Sequence, residues 1–308
     1  MKASAVLTLL CLLAIPAAQA APADSSLSVG GGSITIRYSN EVSPAFRKLV
    51  ETWTHDAAEA VLTVYGHYPV KQVTIQLQVT GGSRVGGGRT FDGRLIKIRV
   101  GSDVTAQVLR SDWIMTHEMF HLGFPDIVGG VDWMGEGLST YLEPLARARA
   151  GNLTDEEVWA SMVDGLPKGL PQGGDRGLDR TPTWGRTYWG GTLFWLLADL
   201  EIRKASNNHK SLDDALRAIL AEGGDGSSTW PEEKVFRRGD AALGMQVLET
   251  LHERLGVTAE TTDLSALWRD LGVVPHGRTV TFDDKAPHAA VRRALTRGDH
   301  ARGSPPSS

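Results

Sequence analysis

The 308 residues include a single cysteine, Cys11. That scarcity excludes an internal disulfide framework and any cysteine-ligated metal site. Neither charge sign is in large excess: 32 basic and 36 acidic side chains give a net charge of −4, which leaves no electrostatic footprint for nucleic acid. Beyond the first twenty residues, no apolar run approaches the ~20 residues that a membrane-spanning helix needs. Order-promoting side chains are not scarce. Hydrophobic residues make up 41% of the chain against 22% charged, with 9 Trp, 7 Phe and 5 Tyr, enough to build a packed core and to exclude a disordered chain.

The opening residues read as an address. Lys2 precedes an apolar run from Ala5 to Ile15, followed by Pro16 and the small-residue stretch Ala17-Ala18-Gln19-Ala20. A basic start, a short apolar stretch and an A-x-A site are the parts of a secretory signal peptide, and export to the periplasm or the medium is the expectation. Cleavage after Ala20 would also remove Cys11. The mature chain would then be held by its core, with or without a metal, rather than by disulfides.

Alternating patterns predict strands over Ile34–Tyr38, Val73–Val79 and Leu95–Val100. Ser43-Pro44 predicts the start of a helix whose apolar residues recur at helical spacing to Val64 and which ends at Gly66. The glycine-rich segment between the second and third strands is too long for a tight hairpin, and over 81–94 it is a candidate edge strand for pairing with an extended peptide. Helices are expected at 104–109, 112–124, 136–150, 155–163, 188–204, 212–222, 240–255 and 264–271, with a last short strand at 278–282. Residues 164–186 read as a long surface loop. Strands early and helices late favour an α+β fold. The expected organisation is a signal peptide (1–20), a strand-rich lobe carrying a metal-binding helix (21–130), a mainly helical lobe (131–296) and a disordered tail (297–308), with a cleft between the lobes.

The segment His117-Glu118-Met119-Phe120-His121 fits HExxH. On a helix, residues four apart share a face, so both imidazoles can bind one zinc ion while Glu118 lies beside an open coordination position. Trp113, Ile114, Met119, Phe120, Leu122 and Phe124 make this helix apolar nearly all round, which predicts that it is buried. Burying two histidines and a glutamate without partners is costly, and a metal supplies partners. A third ligand is needed, and the downstream candidates are Asp126, Asp132, Glu136 and Glu143. Glu136 opens a second helical stretch, whose first turn favours a charged carboxylate. Asp132 competes with it. Glu143, two turns further along the same face, is a candidate partner for a metal-bound histidine or a rim residue. His55, His67, His209, His252, His276, His288 and His300 have no ligand spacing.

Three blocks resemble the M61 family of metallopeptidases (glycyl aminopeptidase-like), in the gluzincin group that also includes the M1 aminopeptidases. They are the 117–121 segment, Trp133-Met134-Gly135-Glu136-Gly137-Leu138-Ser139-Thr140-Tyr141 with Arg149-Ala150-Gly151 behind it, and Tyr188-Trp189-Gly190-Gly191 running into Leu197-Ala198-Asp199-Leu200-Glu201-Ile202-Arg203. Ser211-Leu212-Asp213-Asp214 fits the helix that follows. The resemblance implies a thermolysin-like zincin catalytic fold and one Zn2+ per chain. It assigns the zinc ligands to His117, His121 and Glu136, the general base to Glu118, and a phenol that steadies the transition state to Tyr188. It also implies a peptide or protein substrate.

The chain departs from that pattern in several places. Gly190 stands where the family has a lysine. Gly86-Gly87-Gly88 is followed by Arg89, where an amine-capturing glutamate is expected, and Arg89 is a candidate for binding a substrate carboxylate instead. The segment Gly129-Gly130-Val131-Asp132 resembles the G-x-x-D ligand segment of deuterolysin-type zinc endopeptidases, which implies Asp132 as an alternative ligand. The expected function is a secreted or periplasmic zinc metallopeptidase. The alternatives are a non-catalytic peptide-binding protein that keeps zinc for structure, and an aspartate-ligand endopeptidase.

Overall fold

In the computed structural model the described residues are 24–130 and 132–297. The expected signal peptide (1–20) and nearly all of the expected tail (297–308) lie outside them. Five strands form one mixed sheet: β1 (Ser25–Val29), β2 (Gly32–Tyr38), β3 (Gln72–Thr80), β4 (Val85–Phe91) and β5 (Leu95–Gly101), in the order β1-β2-β3-β5-β4. β2, β3 and β5 run parallel, while β1 and β4 are antiparallel to their neighbours. The register aligns Ile36 with Ile75 and Ile75 with Ile96, and likewise Tyr38 with Leu77 and Leu77 with Ile98. One face of the sheet is therefore a continuous buried apolar layer, each such side chain worth about 1.5–3 kcal/mol. The opposite face carries Arg37, Gln76, Lys97 and Arg89 in one cross-strand row, all exposed.

Helix α1 (Pro44–Tyr65) makes the crossover from β2 to β3. The Ser43 hydroxyl accepts from the Phe46 N–H at 3.1 Å, Pro44 sits at the first position, and Gly66 ends the helix at φ +76°. Val50, Trp53, Ala57, Val61 and Val64 form its buried face. The short α2 (Ala106–Ser111) and α3 (Ile114–Phe120) follow the sheet, and the two-residue strand β6 (Asp126–Ile127) leads to α4 (Asp132–Arg149).

The helical part continues with α5 (Asp155–Gly165), a π-helical turn at Arg186–Gly190, α6 (Gly191–Ala205), α7 (Leu212–Ala221), β7 (Thr229–Trp230), α8 (Glu232–Leu243) and α9 (Leu248–Leu251). A second π-helical turn at His252–Val257 precedes α10 (Leu264–Leu271), the hairpin β8 (Val273–His276) and β9 (Thr279–Phe282), and α11 (Ala289–Arg297). α4 and α6 meet backbone to backbone: a Cβ on Gly137 would stand 2.4 Å from the Gly191 Cα, so only glycine allows this approach. Buried ion pairs tie the lobe together. Asp199 accepts from Tyr141 Oη at 2.9 Å, Arg203 Nε at 2.8 Å and the Leu212 N–H at 3.0 Å, and Arg149 pairs with Asp213 at 2.9 Å.

The structure corrects several expectations. Residues 164–186 are not a free surface loop. The Asp175–Arg186 pair, 2.9 Å apart and nearly fully buried, and the buried Leu178 pin the segment to the core. The expected 240–255 helix is split, because Gly244 takes φ +65° and ends α8. β1 and α11 were not anticipated: β1 is serine-rich, and α11 carries arginines that obscure its apolar stripe.

Candidate metal centre

The HExxH segment lies on α3 and the turn after it. The Asp112 carboxylate accepts from the Met115 N–H at 3.2 Å and starts the helix. Burial pushes the Asp112 carboxyl up to about 6. Met115, Met119 and Phe120 are fully buried between α1, α4 and the sheet, so this short helix is held by packing rather than by its own length. Trp113 is the exception to the expected all-round burial, being 50% exposed.

His117, His121 and Glu136 converge, with ligand atoms all within 4.8 Å of one another. His117 Nε2 lies 3.1 Å from Glu136 Oε2, His121 Nε2 lies 3.7 Å from the same oxygen, and the two Nε2 atoms are 3.4 Å apart. A tetrahedral zinc ion bound at about 2.0–2.1 Å requires its ligand atoms about 3.3–3.4 Å apart, so the trio fits that ion. Glu136 reaches the histidines because α4 begins four residues earlier and is clamped by the Gly137–Gly191 contact. Burial alone would raise the Glu136 carboxyl, but the hydrogen bond from His117 and the nearby His121 imidazole outweigh it and hold it well below the usual carboxylate range. For His117, burial dominates and lowers the imidazole; for His121, Glu136 prevails over burial and raises it. A metal takes both imidazoles in the neutral form, which burial favours at His117 and which competes with the Glu136 charge at His121.

Glu118 lies beside this trio and is 7% exposed. Thr90 of β4 holds it: its hydroxyl is 2.8 Å from both Glu118 Oε2 and the Glu118 carbonyl oxygen. Gly88, two residues back on the same strand face, leaves room for it, since a Cβ there would stand 2.8 Å from Glu118 Cγ and 3.0 Å from Oε1. Neither Thr90 nor Gly88 was identified from the sequence. Their signal was the glycine-rich strand itself, but strand alternation becomes readable only once the register with β5 is known. The same alternation turns Arg89 away from Glu118, onto the outer sheet face. There it stacks 5.5 Å from the Phe91 ring.

Tyr188 comes from the π-helical turn, where π geometry rotates a side chain relative to the following α-helix. Its ring stacks on His117 with centroids 6.3 Å apart and planes 25° apart, close enough to feel the Glu136 charge. Burial, followed by the Glu136 charge, pushes the phenol up to about 12, so it is protonated near neutrality.

The remaining candidates divide. Asp132 is exposed and, like Asp126, lines the cleft, but neither belongs to the converging trio. Glu143 is neither a histidine partner nor a rim residue. It is buried and paired with Arg147, and burial pushes it up to about 7. The His117 Nδ1 atom is buried without a hydrogen-bond partner. His252, unremarkable by spacing, lies 2.9 Å from Asp179 and 3.7 Å from Glu232. Asp179 in turn accepts from the Trp133 indole N–H at 3.0 Å, three residues before Glu136, so this network steadies the first turn of α4. The trio, Glu118 and Tyr188 all line one cleft of 910 Å³ with Gly87, Gly88 and Trp113 on its wall.

No protein-family model and no curated protein matches the sequence. Solved structures do. An aminopeptidase N family protein from Idiomarina loihiensis is similar with a TM-score of 0.61 at 14% identity, over 82% of this chain and 50% of that one. An M1 zinc metallopeptidase from Deinococcus radiodurans has a TM-score of 0.49 at 16% identity, over 78% of this chain and 55% of its own. Legionella pneumophila aminopeptidase A has a TM-score of 0.49 at 12% identity, over 78% of this chain and 28% of its own. The chain therefore shares the α+β fold of the Idiomarina protein and spans about half its length.

Proposed function

We propose that this chain is a zinc-dependent peptidase of the gluzincin group, of the M61 type, with a thermolysin-like catalytic arrangement. His117, His121 and Glu136 hold one zinc ion, Glu118 is the general base, and Tyr188 stabilises the transition state. The observation that carries the reading is the joint geometry: three ligand atoms at tetrahedral spacing, beside a held carboxylate and a phenol in one cleft. The fold shared with an aminopeptidase N family protein supports it.

A zinc ion bound there supplies Lewis-acid polarisation of a carbonyl and a lowered pKa for water. The chain's own groups do the rest. Glu118, steadied by Thr90, takes the proton of the attacking water and passes it to the leaving amine. The Tyr188 phenol, protonated at neutral pH, donates to the carbonyl oxygen as negative charge builds, a contribution of about 2.7–4 kcal/mol for a donor of this kind. Thr90, Gly88 and the Asp112 cap keep Glu118 in place, so the base need not reorganise during the reaction.

Glu118 also bears on the non-catalytic alternative, because a purely structural zinc site has no use for a held base beside it. The aspartate-ligand alternative is disfavoured by the exposure of Asp132, which lies outside the converging trio. Hydrolysis of a peptide mixture by wild type and Glu118→Gln, with zinc content measured alongside, tests the proposal. The expected result is cleavage by wild type and its loss in Glu118→Gln with zinc retained. Undiminished cleavage by the variant refutes the base assignment, and a zinc-bound but inactive wild type leaves the peptide-binding alternative. Export rests on residues 1–20, and protein recovered outside the cytoplasm with Ala21 as its first residue is the expected outcome.

A further inference from the structure

Among the described residues, six large apolar side chains are at least a third exposed: Phe91, Trp113, Val128, Trp184, Val257 and Val274. The two indoles leave by far the most apolar surface in water, at 50% for Trp113 and 62% for Trp184. Trp113 lines the metal cleft, whereas Trp184 lies outside its lining and meets it through Tyr188. Trp113 packs edge-on against the His117 ring, with centroids 5.2 Å apart and planes at 88°. Trp184 lies 5.9 Å from Tyr188, whose face is stacked on His117. Ring contacts therefore run from Trp113 through His117 and Tyr188 to Trp184, with an exposed indole at each end of the chain of contacts. Val128 sits between Ile127 and the turn at Gly130, both of which line the same cleft.

Their exposure is not forced by local sequence. Ile114, Met115, Met119 and Phe120 next to Trp113 are all buried, while the larger indole is left in solvent. Large aromatics concentrated around a cleft are the usual mark of a surface that water leaves on binding. An indole is also rigid, so holding a ligand against it sacrifices little side-chain entropy. Charge narrows the ligand further. The cleft wall carries three aspartates, Asp92, Asp126 and Asp132, against one arginine, Arg89, whose guanidinium lies over the Phe91 ring, so acidic side chains are disfavoured there. Gly87 and Gly88 line the cleft on the edge strand β4, where a substrate main chain can approach bare backbone.

The geometry points to a peptide substrate with a bulky apolar side chain on each side of the bond to be cut, one lying against Trp113 and the other against Trp184. This rests on the peptidase reading and adds its substrate class. The test uses zinc-loaded Glu118→Gln, whose peptide complexes persist, and titration calorimetry. The probes are two hexapeptides of equal charge, one with Phe and Leu and the other with Ala at the same positions. The Phe/Leu peptide is expected to bind at least about tenfold tighter. Adding Trp113→Ala or Trp184→Ala is expected to bring that ratio close to one, while Trp113→Phe and Trp184→Phe keep it. Equal affinities for the two peptides, or a ratio unmoved by both alanine variants, overturn the inference. Hydrolysis by the chain with Glu118 intact is read separately. Cleavage without the affinity ratio sinks the aromatic platforms alone, and the ratio without cleavage sinks the peptidase reading while leaving the platforms.

Discussion

Replacing Gly88 with alanine tests whether Glu118 is a positioned base. The added methyl would stand 2.6 Å from Ile114 Cγ2, 2.8 Å from Glu118 Cγ and 3.0 Å from Glu118 Oε1. Restoring ordinary carbon contacts of about 3.5 Å requires displacements of about 0.5–1 Å. Ile114 is packed in the core, so the Glu118 side chain is the part that yields. A misplacement of about 1 Å can cost on the order of a hundredfold in rate, so a fall in kcat of about 10–100-fold is expected, or roughly 1.4–2.7 kcal/mol. Overpacking should also lower stability by about 1–3 kcal/mol. The nearest atoms to the new methyl do not include His117, His121 or Glu136, so zinc content should not change. Gly81→Ala is the control, because its methyl would meet nothing within 4 Å and it does not line the cleft. The assay is kcat on an internally quenched peptide, with metal analysis of the same samples. Wild-type kcat in Gly88→Ala, or an equal loss in Gly81→Ala, would refute the idea that the edge strand sets the position of Glu118.

Tyr188→Phe removes a donor without disturbing the stacked ring, so kcat should fall about 10²–10³-fold with zinc retained; a variant that loses its zinc instead would make Tyr188 a structural support. Asp112 has a folded-state pKa raised to about 6 by burial. The stability it confers is full below its ordinary value near 4 and is lost as pH rises through about 6, amounting to about 2–3 kcal/mol. Asp112→Asn keeps the cap and removes the titration, so its urea midpoint should gain on wild type between about pH 4 and about pH 8, and parallel curves would contradict this. His252 is raised above its ordinary 6.5, because Asp179 prevails over burial. Its contribution is full below 6.5 and disappears as pH rises through the folded value, so His252→Gln should destabilise more at about pH 5.5 than at about pH 9 in the same denaturation assay.

What was legible in the sequence was the part with a local period. The four-residue spacing of His117 and His121 and the Ser43-Pro44 helix start follow from geometry within one element. Glu136 was legible as one of four candidates, with Asp132 as its main rival, and what carries it to the histidines is the α4–α6 contact at Gly137 and Gly191, which joins residues far apart in the chain. β4 was hard to read because glycine carries no strand preference, and its role depends on facing Glu118 across the strand–helix interface. Trp113 misled because an apolar residue at helical spacing predicts burial, whereas here the first residue before the helix points into the cleft. The Asp199–Arg203 and Arg149–Asp213 pairs lie in motifs noticed for their family resemblance, and what the structure gives them is a buried structural role.

Metal analysis of the purified chain, with Glu136→Gln and Asp132→Asn prepared in parallel, is the most direct test of the three-ligand centre. The expected result is one zinc per chain in wild type and in Asp132→Asn, and its loss on dialysis from Glu136→Gln. A zinc-free wild type, or loss from the aspartate variant in place of the glutamate variant, would contradict it.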